Sequence, residues 1–155
     1  MRTDRWPRGT ALALLAVAAA GVCGLATTGS AVAARVLNVK DEGRLRLLTS
    51  YGSELIDEGP ATGTVPGRVK VDFLYNGDPS VSARFEIYGR GGTIGGRANA
   101  RLSNPTSPVP SFRGAFTITG GSGRYAHVSG RGELFGVFYR RGYGLVVQTV
   151  GRLSY

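Results

Sequence analysis

Beyond residue 34, short runs of alternating apolar and polar residues are separated by segments rich in glycine and proline. In 68–75 and 81–88, the odd-numbered residues are apolar and most of the residues between them are polar. This period of two is typical of β-strands with one buried face, and no segment here shows helical periodicity. The residues between the two runs, 76–80, have the composition of a tight turn, which predicts a hairpin.

Further runs of the same kind follow and precede this hairpin. We predict strands at 44–51, 93–102, 112–119, 127–139 and 143–155, and residues 55–64 can supply an eighth piece. The link 103–111 contains three prolines and is predicted to cross the surface without forming a strand. Residues 35–155 are therefore expected to form one all-β domain, long enough to bury an adequate core.

Three glycines favour a barrel over a sandwich. Gly130, Gly132 and Gly136 fall on the apolar face of the predicted strand 127–139, where glycine normally weakens a strand. On the inside of a barrel, such glycines allow the sheet to curve or leave a lumen open. We therefore predict a single antiparallel, lipocalin-like β-barrel of about eight strands, wide enough to hold one small ligand.

The first 34 residues have the three parts of a secretory signal peptide. Basic residues precede a charge-free, mostly apolar run from 11 to 34, which ends in the small-residue pattern Ala31-Val32-Ala33. We expect cleavage after Ala33 or Ala34 and a secreted, extracellular product. The alternatives are an uncleaved anchor, disfavoured by the glycines and threonines of 21–30, and a lipid on Cys23.

Composition limits the chemistry and the partners of the mature chain. Cys23 is the only cysteine and lies in the signal, so no disulfide or thiol nucleophile is expected. Arginine dominates the basic residues, which are scattered singly rather than in a stripe with aromatic platforms. We therefore expect no nucleic-acid partner. Weak association with an anionic cell envelope, and self-association, stay open.

Residues 116–125, Phe-Thr-Ile-Thr-Gly-Gly-Ser-Gly-Arg-Tyr, join two predicted strands through a glycine-rich turn. This segment resembles the turn shared by allene oxide cyclases, dirigent proteins and bacterial proteins like them. Order and spacing agree over 83–155, including the glycine-rich turn at 91–95, whereas the N-terminal third matches loosely. The residues of the turn also predict a structural role. Its glycines can adopt positive φ, and Tyr125 can close one end of the barrel.

The resemblance implies an eight-stranded barrel with a mostly apolar cavity for a hydrophobic small molecule. These families confine and orient a reactive molecule during cyclisation, isomerisation or coupling. The mature chain departs from the plant cyclases because it lacks their cavity cysteine, which puts an oxylipin substrate in doubt.

Aromatic residues on the apolar faces are the candidate cavity lining. Their alternative role is plain core packing. The candidate hydrogen-bond donors of a catalytic site are the tyrosines Tyr51, Tyr75 and Tyr143. The candidate substrate-binding residues are Phe73, Phe85, Phe116 and Phe138.

The acidic residues between 41 and 58 are interpreted mainly as a solvated loop at the barrel mouth. In the alternative interpretation, Glu54 or Asp57 is a mouth carboxylate that acts as an acid or base, and Glu54 joins the catalytic candidates. His127, the only histidine, is more simply a solvated strand residue. No metal site and no cofactor are predicted.

Three functions remain open from the sequence. The first is a secreted barrel that binds an apolar molecule and directs its cyclisation or isomerisation. The second is a non-catalytic carrier, and the third is an envelope-associated protein. An enclosed pocket of about 300 Å³ or more favours the first two, whereas a filled lumen favours the third.

Overall fold

The structure is a computed structural model, and it describes residues 35–75 and 79–155. The predicted signal peptide and residues 76–78 of the predicted turn 76–80 lie outside these residues. No helix in the described ranges is long and apolar enough to cross a bilayer.

The described chain forms eight β-strands and one turn of 3-10 helix, Gly123–Tyr125. The strands are β1 (Val36–Tyr51), β2 (Glu54–Gly63), β3 (Gly67–Tyr75), β4 (Ser80–Gly89), β5 (Gly92–Ser103), β6 (Ser111–Gly121), β7 (Ser129–Tyr139) and β8 (Gly144–Ser154). The predicted strands are present, and the proline-rich link between β5 and β6 is confirmed as irregular.

Each strand pairs antiparallel with the next along the chain, and β8 pairs with β1 to close a barrel. The closing seam runs from the pair Val36–Ser154 to the pair Arg46–Gly144. The predicted all-β, eight-stranded antiparallel barrel is thus confirmed. Because the strands form a simple meander, four connections lie at one end of the barrel. The other three lie at the opposite end, together with the start of β1 and the end of β8, so the two ends can be described separately.

Two predictions for the N-terminal third need correction. The first strand begins at Val36 rather than at residue 44, since inward-facing Asp41 and Gly43 obscure the alternation there. The acidic residues 54–58 lie in β2 and not in a loop. A strand alternates faces, so consecutive acidic residues of β2 have opposite environments.

The inward glycines serve to make room for phenylalanine rings. Phe85 is paired with Gly96, Phe116 with Gly132, and Phe112 with Gly136 across neighbouring strands. A Cβ atom built on Gly96 would lie 2.8 Å from Cε1 of Phe85, well inside van der Waals contact. Each ring therefore lies across the backbone of its glycine, against the barrel wall.

A β-bulge in β1 changes the face on which the end of that strand lies. Leu47 is paired with Asp57 and Thr49 with Ile56, so Leu48 is an extra residue without a partner. Because one extra residue reverses the alternation, Tyr51 shares the outer face of its partner Glu54. Tyr51 is 68% exposed, so the sequence-based prediction that its ring lies on the apolar face is wrong.

The glycine-rich turn between β6 and β7 has the structural role predicted for it. Gly123 adopts φ 58°, a left-handed conformation that suits glycine. Ser122 Oγ accepts a hydrogen bond from the backbone N–H of Thr93, which ties this turn to the start of β5. Tyr125 is buried and packs edge-on against Tyr155, at a ring-centroid distance of 5.7 Å.

Candidate functional site

The barrel encloses a cavity of about 410 Å³. Inward-facing residues of all eight strands line it, and most of these residues are apolar. The lumen is therefore not filled by side chains. Its volume exceeds the size of about 300 Å³ above which a small-molecule pocket is expected.

The two ends of the cavity differ. At the end with the β2–β3, β4–β5 and β6–β7 connections, Val65 and Ile94 are 2% and 1% exposed and pack with Tyr125 and Val128. At the opposite end, which we call the mouth, Tyr75 and Tyr143 line the cavity and are 41% and 50% exposed. The cavity thus meets solvent at the mouth, among the connections β1–β2, β3–β4, β5–β6 and β7–β8.

Asp57 of β2 places a carboxyl group inside the apolar lumen. It is 2% exposed, and within the described residues its Oδ1 atom has no hydrogen-bond partner. Its cross-strand neighbours are Leu47 and Val71, neither of which offers a polar side chain. Burial, which disfavours the charged form, raises the pKa of Asp57 to about 6.

Asp41 of β1 also lines the cavity, but its carboxyl group has a structural partner. Its Oδ1 accepts a hydrogen bond of 2.9 Å from the backbone N–H of Val65, in the β2–β3 connection. Burial raises the pKa of Asp41, and hydrogen bonds from Val65 and Thr64 oppose that rise. Asp41 therefore stabilises the β2–β3 connection, whereas Oδ1 of Asp57 binds no group of the described residues.

The four predicted substrate-binding phenylalanines all line the cavity: Phe73, Phe85, Phe116 and Phe138. Phe85 and Phe116 pack edge to face with a centroid distance of 6.3 Å. The predicted core and lining roles therefore coincide, since these rings line the cavity and also pack in the two apolar clusters of the barrel. Whether they bind a substrate stays a prediction.

Two of the three predicted tyrosines reach the cavity. Tyr75, at the end of β3, and Tyr143, just before β8, both line it at the mouth. Tyr143 adopts φ 49°, unusual for a non-glycine residue, and its ring packs edge-on against Phe138 at 6.3 Å. The third tyrosine, Tyr51, lies outside the lining on the outer face described above.

Glu54 lies on the outer wall and not in the lumen, since its neighbour Leu55 faces inward. A hydrogen bond with Asp72, and the negative charge of Asp72, raise the pKa of Glu54. The inward carboxyl group of β2 is therefore Asp57, which the sequence offered only as an alternative to Glu54. The sequence does contain one indication that Asp57 faces inward. It lies an even number of positions from Leu55 and Ala61, which face inward on the same strand.

Arg140 borders the mouth and holds the proline-rich link in place. Its Nε donates a hydrogen bond of 3.0 Å to the backbone oxygen of Ser107, and its guanidinium also donates to the oxygen of Pro105. Its backbone N–H donates to the oxygen of Pro108. The link thereby packs beside the mouth, with Pro110 lining the cavity.

In residues 35–75 and 79–155, no three histidine, cysteine or acidic side chains come together in a group that could hold a metal ion. His127 is exposed in the β6–β7 connection, just before β7. Comparison of the chain with protein-family models and with curated proteins finds no match.

Proposed function

We propose that this barrel encloses a small apolar molecule and directs its isomerisation or cyclisation. The observation that carries the proposal is the Asp57 carboxyl group, whose Oδ1 atom has no hydrogen-bond partner among the described residues, inside an open, apolar cavity of about 410 Å³. A buried polar atom without a partner costs about 1–3 kcal/mol in a folded protein, so a lumen built only for packing would avoid it. The resemblance to allene oxide cyclases and dirigent proteins supports the same ligand class.

The chemistry suited to this site is internal proton transfer. With a pKa of about 6, Asp57 is present in both protonation states near neutral pH, so it can accept or donate a proton. Asp57 would accept a proton from one carbon of an unsaturated ligand and return it at another position. The net reaction is an isomerisation, and it needs no oxidant, reductant or second substrate.

The surrounding side chains would supply shape and orientation. The phenylalanine rings restrict the conformations of a flexible apolar chain, which favours those close to the reacting geometry. The hydroxyl groups of Tyr75 and Tyr143 lie at the mouth, where they can donate hydrogen bonds to a polar end of the ligand.

Occupancy of the lumen is tested by filling it. Ala100 of β5 lines the cavity, and Ala115 of β6 is exposed on the outer wall. We expect Ala100→Phe to weaken binding of Nile red, an apolar fluorescent probe, by at least about tenfold, because the added ring takes up ligand volume. Ala115→Phe is the matched control and should bind the probe as the parent does.

Equal binding by both variants would mean that the probe binds outside the lumen, and the proposal would fail. Mass spectrometry of apolar molecules that co-purify with the parent, and are lost from Ala100→Phe, identifies the ligand itself. With that ligand in hand, turnover and binding can be measured separately.

Catalysis and carriage are distinguished at the mouth tyrosines. If the barrel is an enzyme, Tyr75→Phe and Tyr143→Phe should lower kcat by roughly tenfold while binding changes little, because a hydrogen bond that strengthens in the transition state is lost. If both changes alter only affinity, or nothing, the barrel is a carrier that holds its ligand unchanged.

A further inference from the structure

Large exposed hydrophobic side chains are concentrated around the mouth. Among the described residues, ten such side chains are exposed, and seven of them lie at or near the mouth connections. Two are Tyr75 and Tyr143. The other five, which we call the mouth ring, are Leu48, Tyr51, Leu74, Val109 and Tyr139. A concentration of this kind marks an interaction site.

The mouth ring is accompanied by positive charge. Arg140 and Arg141 lie in the β7–β8 connection, and Arg101 and Arg113 lie two residues from the ends of β5 and β6 that meet the mouth. All four are exposed. Among the described residues, the acidic group nearest the mouth is Glu54, the first residue of β2, whose pKa is raised by its neighbour Asp72.

We infer that the mouth docks onto the surface of an anionic lipid bilayer. Tyrosine and aliphatic side chains enter the boundary between headgroups and acyl chains, while arginines contact the anionic headgroups. Both features surround the single opening described for the apolar cavity. Docking there would let an apolar molecule pass between bilayer and lumen without crossing water.

The β-bulge at Leu48 in β1 contributes directly to the mouth ring. Leu48 is the extra residue in β1, and the strand continues beyond the last β8 pair, Arg46–Gly144. The bulge therefore places Leu48 and Tyr51 on the part of the β1–β2 hairpin that projects past β8. A hairpin with an exposed leucine and tyrosine is poorly explained by solubility, which favours polar residues there.

The test measures co-sedimentation of the fragment 35–155 with vesicles. This fragment contains all eight strands of the closed barrel and both of its packed clusters, so we expect it to fold on its own. We expect stronger binding to vesicles of phosphatidylglycerol and phosphatidylcholine than to phosphatidylcholine alone. Circular dichroism confirms that each variant retains the barrel.

Matched variants locate the contact. Leu48→Ser with Tyr139→Ser removes side chains that are 60% and 44% exposed, and should lower the partition coefficient roughly tenfold or more. Val36→Ser with Tyr88→Ser removes side chains that are 64% and 43% exposed near the opposite end, and should leave it within about twofold.

The charge contribution is tested in the same way. Arg141→Gln should weaken binding to anionic vesicles about fivefold, whereas Arg90→Gln, in the turn between β4 and β5, should change it little. If the paired variants at both ends lose equal binding, the basic surface as a whole attracts lipid and the inference fails. The inference also fails if the parent protein binds anionic vesicles no more strongly than vesicles of phosphatidylcholine alone.

A second copy of the chain is the other occupant to exclude. A concentration-dependent dimer in analytical ultracentrifugation that Leu48→Ser with Tyr139→Ser abolishes would assign the mouth ring to self-association and overturn lipid docking. None of these outcomes depends on what the lumen holds. The Nile red experiment therefore tests the proposed function independently of lipid docking.

Discussion

Asp57→Asn should make the protein more stable at neutral pH while abolishing any proton transfer in the lumen. Burial raises the pKa of Asp57 from an ordinary 3.8 to about 6, so the folded state binds more protons than the unfolded state between these values. The stability of the parent therefore falls as pH rises through this window and stays low above it. The neutral asparagine has no such dependence.

The expected size of this effect is large for one residue. A difference of about two pKa units corresponds to roughly 3 kcal/mol at pH 7, or a Tm higher by on the order of 10 °C for Asp57→Asn. Below pH 4 the two proteins should have similar free energies of unfolding. Urea unfolding from pH 4 to pH 8 measures the difference directly.

Glu133→Gln is the control for this titration. Glu133 lies on the outer wall, 3.8 Å from Arg113 in an exposed pair, and its replacement should leave the pH profile of stability unchanged. If Asp57→Asn and the parent have parallel profiles, Asp57 is hydrated or paired in solution, and the proposed acid–base role loses its basis.

Gly96→Ala should destabilise the barrel by about 1–3 kcal/mol, which is the usual cost of overpacking a well-packed interior. The added Cβ would overlap Cζ of Phe85 and lie 2.6 Å from the backbone oxygen of Thr117. The ring can move only into the lumen, and the carbonyl is held in the β5–β6 ladder. The free energy of unfolding in urea gives the loss.

Gly95→Ala is the matched control, one residue away in the same strand. A Cβ there would have only ordinary contacts, at 3.8 and 3.9 Å, and the change should be neutral or slightly stabilising. If the two alanine variants lose equal stability, the cost comes from the strand backbone and not from the ring lying over Gly96.

The alternation of residues was sufficient to predict most strands, because each strand has one buried face and neighbours of similar length. It was insufficient where a polar residue faces inward. Asp41 and Asp57 have the pattern of solvated residues, so the alternation predicts a first strand that begins too late and favours a loop for the acidic part of β2. Only their spacing from apolar residues of the same strand, such as Leu55 and Ala61 for Asp57, indicates in the sequence that these positions face the lumen.

The bulge at Leu48 limited how well the residues of the candidate site could be predicted from the sequence. The phenylalanines lie on strands of regular parity and were placed correctly, whereas Tyr51 follows the extra residue and faces out. A bulge leaves no clear signal in a single sequence, because it depends on how the partner strand is registered. The arginines show a similar limit: scattered along the chain, Arg84 and Arg97 become direct cross-strand partners.

The pairing of phenylalanine rings with glycines has a consequence for how the specificity of such a barrel can change. Since the rings of Phe85, Phe112 and Phe116 come into close contact with Gly96, Gly136 and Gly132, the glycines set how far each ring stands from the wall. A larger residue at one of these positions would push its ring toward the axis and narrow the space there. Ligand size would then be tuned at the smallest residues of the lining, and the aromatic residues themselves could stay unchanged.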